Sequence, residues 1–90
     1  MKFQWDEAKA AKNLVKHGVQ FEEAQTVFED SRYVDFYHPD HSDDEKRFLR
    51  IGRSRVGRLL LVSYTERRNG VRLISAREAT LRTNKGYEKA

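Results

Sequence analysis

Leu59 to Arg77 reads LLLVSYTERRNGVRLISAR, the only long apolar run in a chain of 90 residues that is 36% charged. Leu59–Thr65 is rich in β-formers. Val71–Ala76 alternates apolar with polar side chains, the period of a half-buried strand. Asn69-Gly70 lies between them, and Asn-Gly is a strong hairpin signal because both residues tolerate positive φ. With those two residues as the whole loop, Arg68 faces Val71, Arg67 faces Arg72, Tyr64 faces Ser75 and Val62 faces Arg77. Like charges directly opposite one another repel. An Arg67–Arg72 pair therefore implies either a longer, looser turn or an anion site. In this register Arg77 lies on the face opposite to Arg67. A site using both needs a bulge, a loop of odd offset, or an Arg77 that turns back past the strand end.

Working outward, Leu59-Leu60-Leu61-Val62 is apolar on both faces and predicts a central strand. Before it, Glu45–Arg53 reads as a strand, Gly52 to Gly57 as a turn, and Arg32–Tyr37 as another strand. Short connections favour an antiparallel four-stranded meander. Upstream, Asp6 is a good N-cap for a helix over Glu7–His17, which Gly18 ends. Its apolar positions are Ala8, Ala11, Leu14 and Val15, with Lys9, Lys12 and Lys16 on another flank. A second helix is expected over Phe21–Phe28. Lys2–Trp5 is either a short edge strand or a hydrophobic lead-in. Trp5 is expected to fill the core and anchor the first helix. Glu78–Lys89 has helix formers but a poor apolar stripe. The expectation is one α+β domain over residues 1–90, of order ααββββα.

Charge is divided unevenly. Residues 1–45 carry five basic and eleven acidic side chains, net −6, and residues 46–90 carry thirteen basic and three acidic, net +10. A basic half that also holds the strands points to a polyanion, with nucleic acid first. Arginine outnumbers lysine there, and guanidinium binds phosphate in a planar, bidentate way. Without cysteine there is no disulfide framework or thiolate zinc site. No signal-peptide core is visible and no apolar run approaches the length of a membrane span, so a cytoplasmic protein is expected. His38 and His41, with the aspartates around them, match no metal-ligand spacing; the segment has the composition of a turn.

No nucleophile motif, P-loop or dinucleotide fingerprint is present. The available His, Glu, Tyr and Arg side chains suffice for RNA cleavage without a metal cofactor, in which the RNA's own 2′-hydroxyl attacks the adjacent phosphate. That reaction needs a base, an acid for the 5′-oxygen and cations for the phosphorane. Arg47, Arg67 and Arg77 fall at or near strand ends, where a shared site can form. Glu45, His17, Tyr64 and Tyr87 are the acid–base candidates. For His17 the alternative is a purely structural role, because a protonated imidazole in the last helical turn is favoured by the dipole.

The segments WDEAKAAKNLVKHGVQFEEAQTVFED, HSDDEKRFLRIGRSRVGRLLLVSYTER and RLISAREAT, with a late GYE, resemble the BrnT-type toxins of type II toxin–antitoxin pairs. The resemblance spans nearly the whole chain. It implies a RelE-like fold, a metal-independent endoribonuclease that arrests translation, and a DNA-binding antitoxin, typically of ribbon-helix-helix type. Operator DNA is then reached only through the antitoxin. Many relatives have proline where this chain has Glu7. The motif positions present are Trp5, Asp6, Lys9, Asn13, Lys16 and His17, then Glu45, Arg47, Arg67, Ser75, Arg77 and Tyr87. The expected roles are Arg67 and Arg77 on the phosphorane, Glu45 or His17 as base, and Tyr87 or His17 as acid. Arg47, Lys9, Lys12, Lys16, Arg50 and Arg72 are expected to bind the RNA backbone.

Overall fold

The computed structural model describes residues 1–37, 46–80 and 87. Strand β1 (Lys2–Gln4) leads into helix α1 (Glu7–His17) and the short helix α2 (Phe21–Ala24), which continues as a 3-10 turn over Gln25–Glu29. Strands β2 (Val34–Tyr37), β3 (Arg47–Arg53), β4 (Leu59–Arg67) and β5 (Gly70–Glu78) follow. The sheet order is β1-β5-β4-β3-β2, so β4 is central as its two-sided apolarity predicts. Strands β2 to β5 form the expected antiparallel meander.

Among the described residues the sheet nevertheless has five strands rather than four, and it is mixed. β1 pairs parallel to β5, with Lys2 opposite Gly70 and Gln4 opposite Arg72. An exposed strand edge leaves backbone donors and acceptors without partners, and the N-terminal lead-in supplies them. The strand β5 runs through Glu78, which therefore starts no helix. The remainder of the helix expected over Glu78–Lys89 lies outside the described residues, apart from Ala79, Thr80 and Tyr87.

Helix α1 starts and stops where its caps predict. The Asp6 carboxylate accepts from the Ala8 and Lys9 amides at 2.8 and 3.1 Å, and Gly18 takes φ 69° while its N–H reaches Leu14 O at 2.8 Å. Its buried side differs from the expectation. Ala10, Asn13 and His17 face inward, whereas Ala8, Ala11, Leu14 and Val15 are exposed, Val15 to 89%. The reason is a hydrogen-bond requirement on β5. Beyond the end of β1 the edge of β5 is open at Ala76. The Asn13 side chain donates to Ala76 O at 2.8 Å and to Val19 O at 3.0 Å, and accepts from Ala76 N at 3.0 Å. A single carboxamide thus continues the pairing that β1 begins, and this outweighs a stripe of two alanines, a leucine and a valine.

The core lies between the helical layer and one sheet face, with Phe21, Val27, Leu60, Val62 and Leu73 almost completely buried. Trp5 packs against it, edge-on to Phe21 at 5.9 Å. At Gly52 an added Cβ would stand 2.7 Å from Val27 Cγ1, so the close approach of the 3-10 turn to β3 needs glycine there.

The hairpin register decides which arginines share a face. The loop is Arg68-Asn69, not Asn69-Gly70; Arg67 pairs with Gly70 and Thr65 with Arg72. Neither Asn69 nor Gly70 has positive φ. The register shifts between Ser63 and Tyr64, which pair with Ser75 and Leu73 and leave Ile74 as the extra residue of a bulge. A bulge is one of the devices that the arginine pattern calls for. Because of it, Arg67, Arg72 and Arg77 all lie on the outer face, away from the core, and no arginine stands directly opposite another across β4 and β5.

Candidate functional site

On the outer face the three long strands form rows. Leu49, Ser63 and Ser75 make one row. Arg47, Thr65 and Arg72 make the next, and Ile51, Leu61 and Arg77 flank the other side. A depression of about 290 Å³ sits over the middle, lined by Arg47, Leu49, Leu61, Ser63, Ile74, Ser75 and Arg77. The floor is aliphatic, two hydroxyls project from it, and a guanidinium stands at each side. Such a surface can take an anionic group attached to something less polar. Arg77 is exposed, and no hydrogen bond or ion pair holds it among the described residues.

Arg47 and Arg77 come together here. Arg67 shares their face but is six β4 residues from Leu61, the partner of Arg77, or roughly 20 Å along the strand. Arg67 and Arg77 therefore lie along one track instead of meeting at one atom. Arg72 sits between them, near enough to Asp6 to help hold its carboxyl below the ordinary range, after the stronger effect of the Lys9 and Ala8 amides.

The other expected residues lie elsewhere. His17 belongs to the helical layer and does not line the depression. Lys9, Lys12 and Lys16 are exposed on α1. Arg50, expected with the RNA-binding arginines, points inward. Its donors reach both Asp35 oxygens at 2.6 and 2.8 Å, and its guanidinium stacks 3.8 Å from the Tyr33 ring and 4.4 Å from Phe28. Tyr64 donates to the same Asp35 at 2.9 Å; burial first, then that carboxylate, pushes its phenol well above the usual range. Tyr87 donates to Asp30 Oδ2 at 2.7 Å, which raises its pKa, and does not line the depression. Glu45, His38 and His41 lie outside the described residues. Among the described residues no cluster of His, Asp and Glu could hold a metal ion.

Sequence reasoning missed Ser63 and the inward turn of Arg50. Strand parity would have shown both: Arg50 alternates with Arg47 and Leu49, and Ser63 with Tyr64.

The model of the family described as the ribonuclease toxin BrnT of type II toxin–antitoxin systems matches residues 5–82. The chain belongs to this BrnT family. It is accordingly a ribonuclease toxin of a type II toxin–antitoxin system, with an antitoxin as partner and RNA as substrate. Its fold is similar to the crystal structure of the Brucella abortus ribonuclease toxin BrnT, at 24% identity and a TM-score of 0.67, over 89% of this chain and 97% of that one. No curated protein matches the sequence at a significant level. Among the described residues no helix is long and apolar enough to cross a membrane.

Proposed function

We propose that this toxin is a metal-independent endoribonuclease that arrests translation in the cytoplasm, cleaving RNA by 2′-hydroxyl attack on the outer face of the sheet. The observation that carries the reading is the placement of Arg47 and Arg77 on opposite sides of the serine-bearing depression. Arg77 stabilises the charge that develops on the phosphorane. Arg47 positions the scissile phosphate, while Arg67 and Arg72 bind the phosphates that precede or follow it. Glu45, two residues from Arg47 in the chain, or His17 is the base. Tyr87 and His17 are the candidate acids, and both need a rearrangement of substrate or chain to reach the leaving oxygen. The antitoxin is a DNA-binding protein of ribbon-helix-helix type, and the complex represses its own operon.

The test is incubation of purified protein with total RNA in EDTA. Cleavage is expected, and Arg77→Ala should reduce its rate by about 100- to 1,000-fold, as loss of one such donor does. The thermal melt of that variant should stay nearly unchanged, because Arg77 is exposed. Salt-sensitive RNA binding without cleavage would replace the enzyme by a binding module. A melt lowered by several degrees with cleavage retained would make Arg77 structural.

A further inference from the structure

The row Leu49–Ser63–Ser75 extends one strand further. Phe36 of β2 pairs with Leu49, which places its ring on the outer face beside the depression. Phe36 is 44% exposed. Its aromatic neighbours on β2 and just before it are occupied on the inner side: Tyr33 lies under the Arg50 guanidinium, and Tyr37 meets the Phe48 ring at 5.9 Å. Among the described residues no ring or cation contacts Phe36. Nearly half of this apolar ring meets water, on the strand that ends the sheet among the described residues. It stands at one end of a row whose two flanks carry Arg47 and Arg77, each one pair step, or roughly 7 Å, along the strands.

We propose that Phe36 is a stacking platform for an unpaired nucleobase, which makes single-stranded RNA the substrate class of this face; the inference rests on the ribonuclease reading above. Cations that follow a phosphate backbone, interleaved with an aromatic face, are the combination that holds single strands, because every base has a π-face and only an unpaired base can offer it. The alternating chemistry of the rows fits that occupant. The base covers Phe36 and Leu49, the sugar lies toward Ser63, and the backbone runs between Arg47 and Arg77. A duplex keeps its bases stacked inside and gives Phe36 nothing to cover.

The experiment titrates the protein into a short single-stranded RNA that carries 2-aminopurine and 2′-O-methyl sugars, which remove the attacking hydroxyl. The wild type should quench the 2-aminopurine. Phe36→Ala should lose the quench and weaken binding about tenfold. Phe36→Tyr should restore both, which separates stacking from misfolding. With an abasic site in place of the fluorescent base, and with a duplex, wild type and Phe36→Ala should bind alike. Arg77→Gln should weaken binding to the intact and the abasic strand equally. Unchanged quench and affinity in Phe36→Ala, with Arg77→Gln still weakened, would overturn the platform and leave the ribonuclease reading standing. No RNA binding by the wild type would overturn both. Loss of antitoxin affinity alone in Phe36→Ala would assign the ring to protein docking and overturn the proposal.

Discussion

Asn13 is where one side chain decides the most. It is 6% exposed, and its carboxamide meets three backbone groups of two different segments. Leaving a buried backbone donor or acceptor without its partner costs about 1–3 kcal/mol. Asn13→Ala should therefore lower stability by at least about 2 kcal/mol, read from the urea midpoint. Asn13→Asp is the sharper variant. A carboxylate still accepts from the Ala76 amide, but it has no donor for the Ala76 and Val19 carbonyls and points charge at both. It should cost as much as alanine. An aspartate variant as stable as the wild type would mean that acceptance from Ala76 is all that matters. The electrostatics of Arg50 make the complementary point. An arginine whose donors are held by Asp35 and whose faces are covered by Tyr33 and Phe28 has little left for a phosphate, whatever its place in a basic segment.

At the scale of elements, the tip of the hairpin and β1 depend on each other. Asn-Gly is ordinarily read as a turn that needs positive φ, yet Gly70 has none here and serves as the first residue of β5. What requires glycine is proximity. An added Cβ would overlap the carbonyl oxygen of Lys2. Gly70→Ala must displace β1, which carries Phe3 and leads to Trp5, both packed against the core. Overpacking of this kind costs about 1–3 kcal/mol. The expected result is a lower melting temperature together with fast amide exchange at Phe3 and Gln4, while β3 and β4 stay protected. Global loss of protection at a normal melting temperature would contradict it. The bulge at Ile74 acts at the same scale. It turns the side chains of Ser75 and Arg77 onto the face that carries Arg67, which the unbulged register would have left on the core side.

Across the whole molecule, one ion-pair cluster joins distant parts of the chain. Arg58, at the start of the hairpin, donates from Nε to Glu23 of α2 at 3.0 Å and also from Nη2, and reaches Glu78 at 3.1 Å and Gly18 O at 3.2 Å. Ser54 adds a hydroxyl to Glu23 at 2.6 Å. The Arg58 hydrogen bonds hold the Glu23 carboxyl below its ordinary value, against the opposing effect of burial. A carboxyl with a depressed folded-state pKa stabilises above its unfolded value, near 4.5, and that contribution is lost as pH falls through the folded value. Arg58 is 34% exposed, so solvent screens the pair, and about 1–2 kcal/mol at pH 7 is expected. The wild type should exceed Glu23→Gln by that amount in urea at pH 7, and the gap should narrow as pH falls below about 4.5 and through the lower folded-state value. A gap that does not change with pH would show that the pair contributes through shape alone.

How much of this was legible in the sequence follows the range of the forces involved. The caps at Asp6 and Gly18, the hairpin near Asn69, the antiparallel meander and the central β4 depend on residues a few positions apart, and the sequence by itself determined them. The same holds for the arginine-rich half and for the family resemblance carried by its motifs. Only the tertiary structure decided the rest. Pairing of β1 with β5 joins residues nearly seventy positions apart. The inward face of α1 was set by an open backbone edge at Ala76, which no helical periodicity records. The arginine face was set by one extra residue at Ile74. Because side chains alternate with a period of two, a single inserted residue reverses every face beyond it. Local chemistry fixes which elements form. Which faces they present depends on registers settled only when distant strands compete for the same hydrogen bonds and the same core.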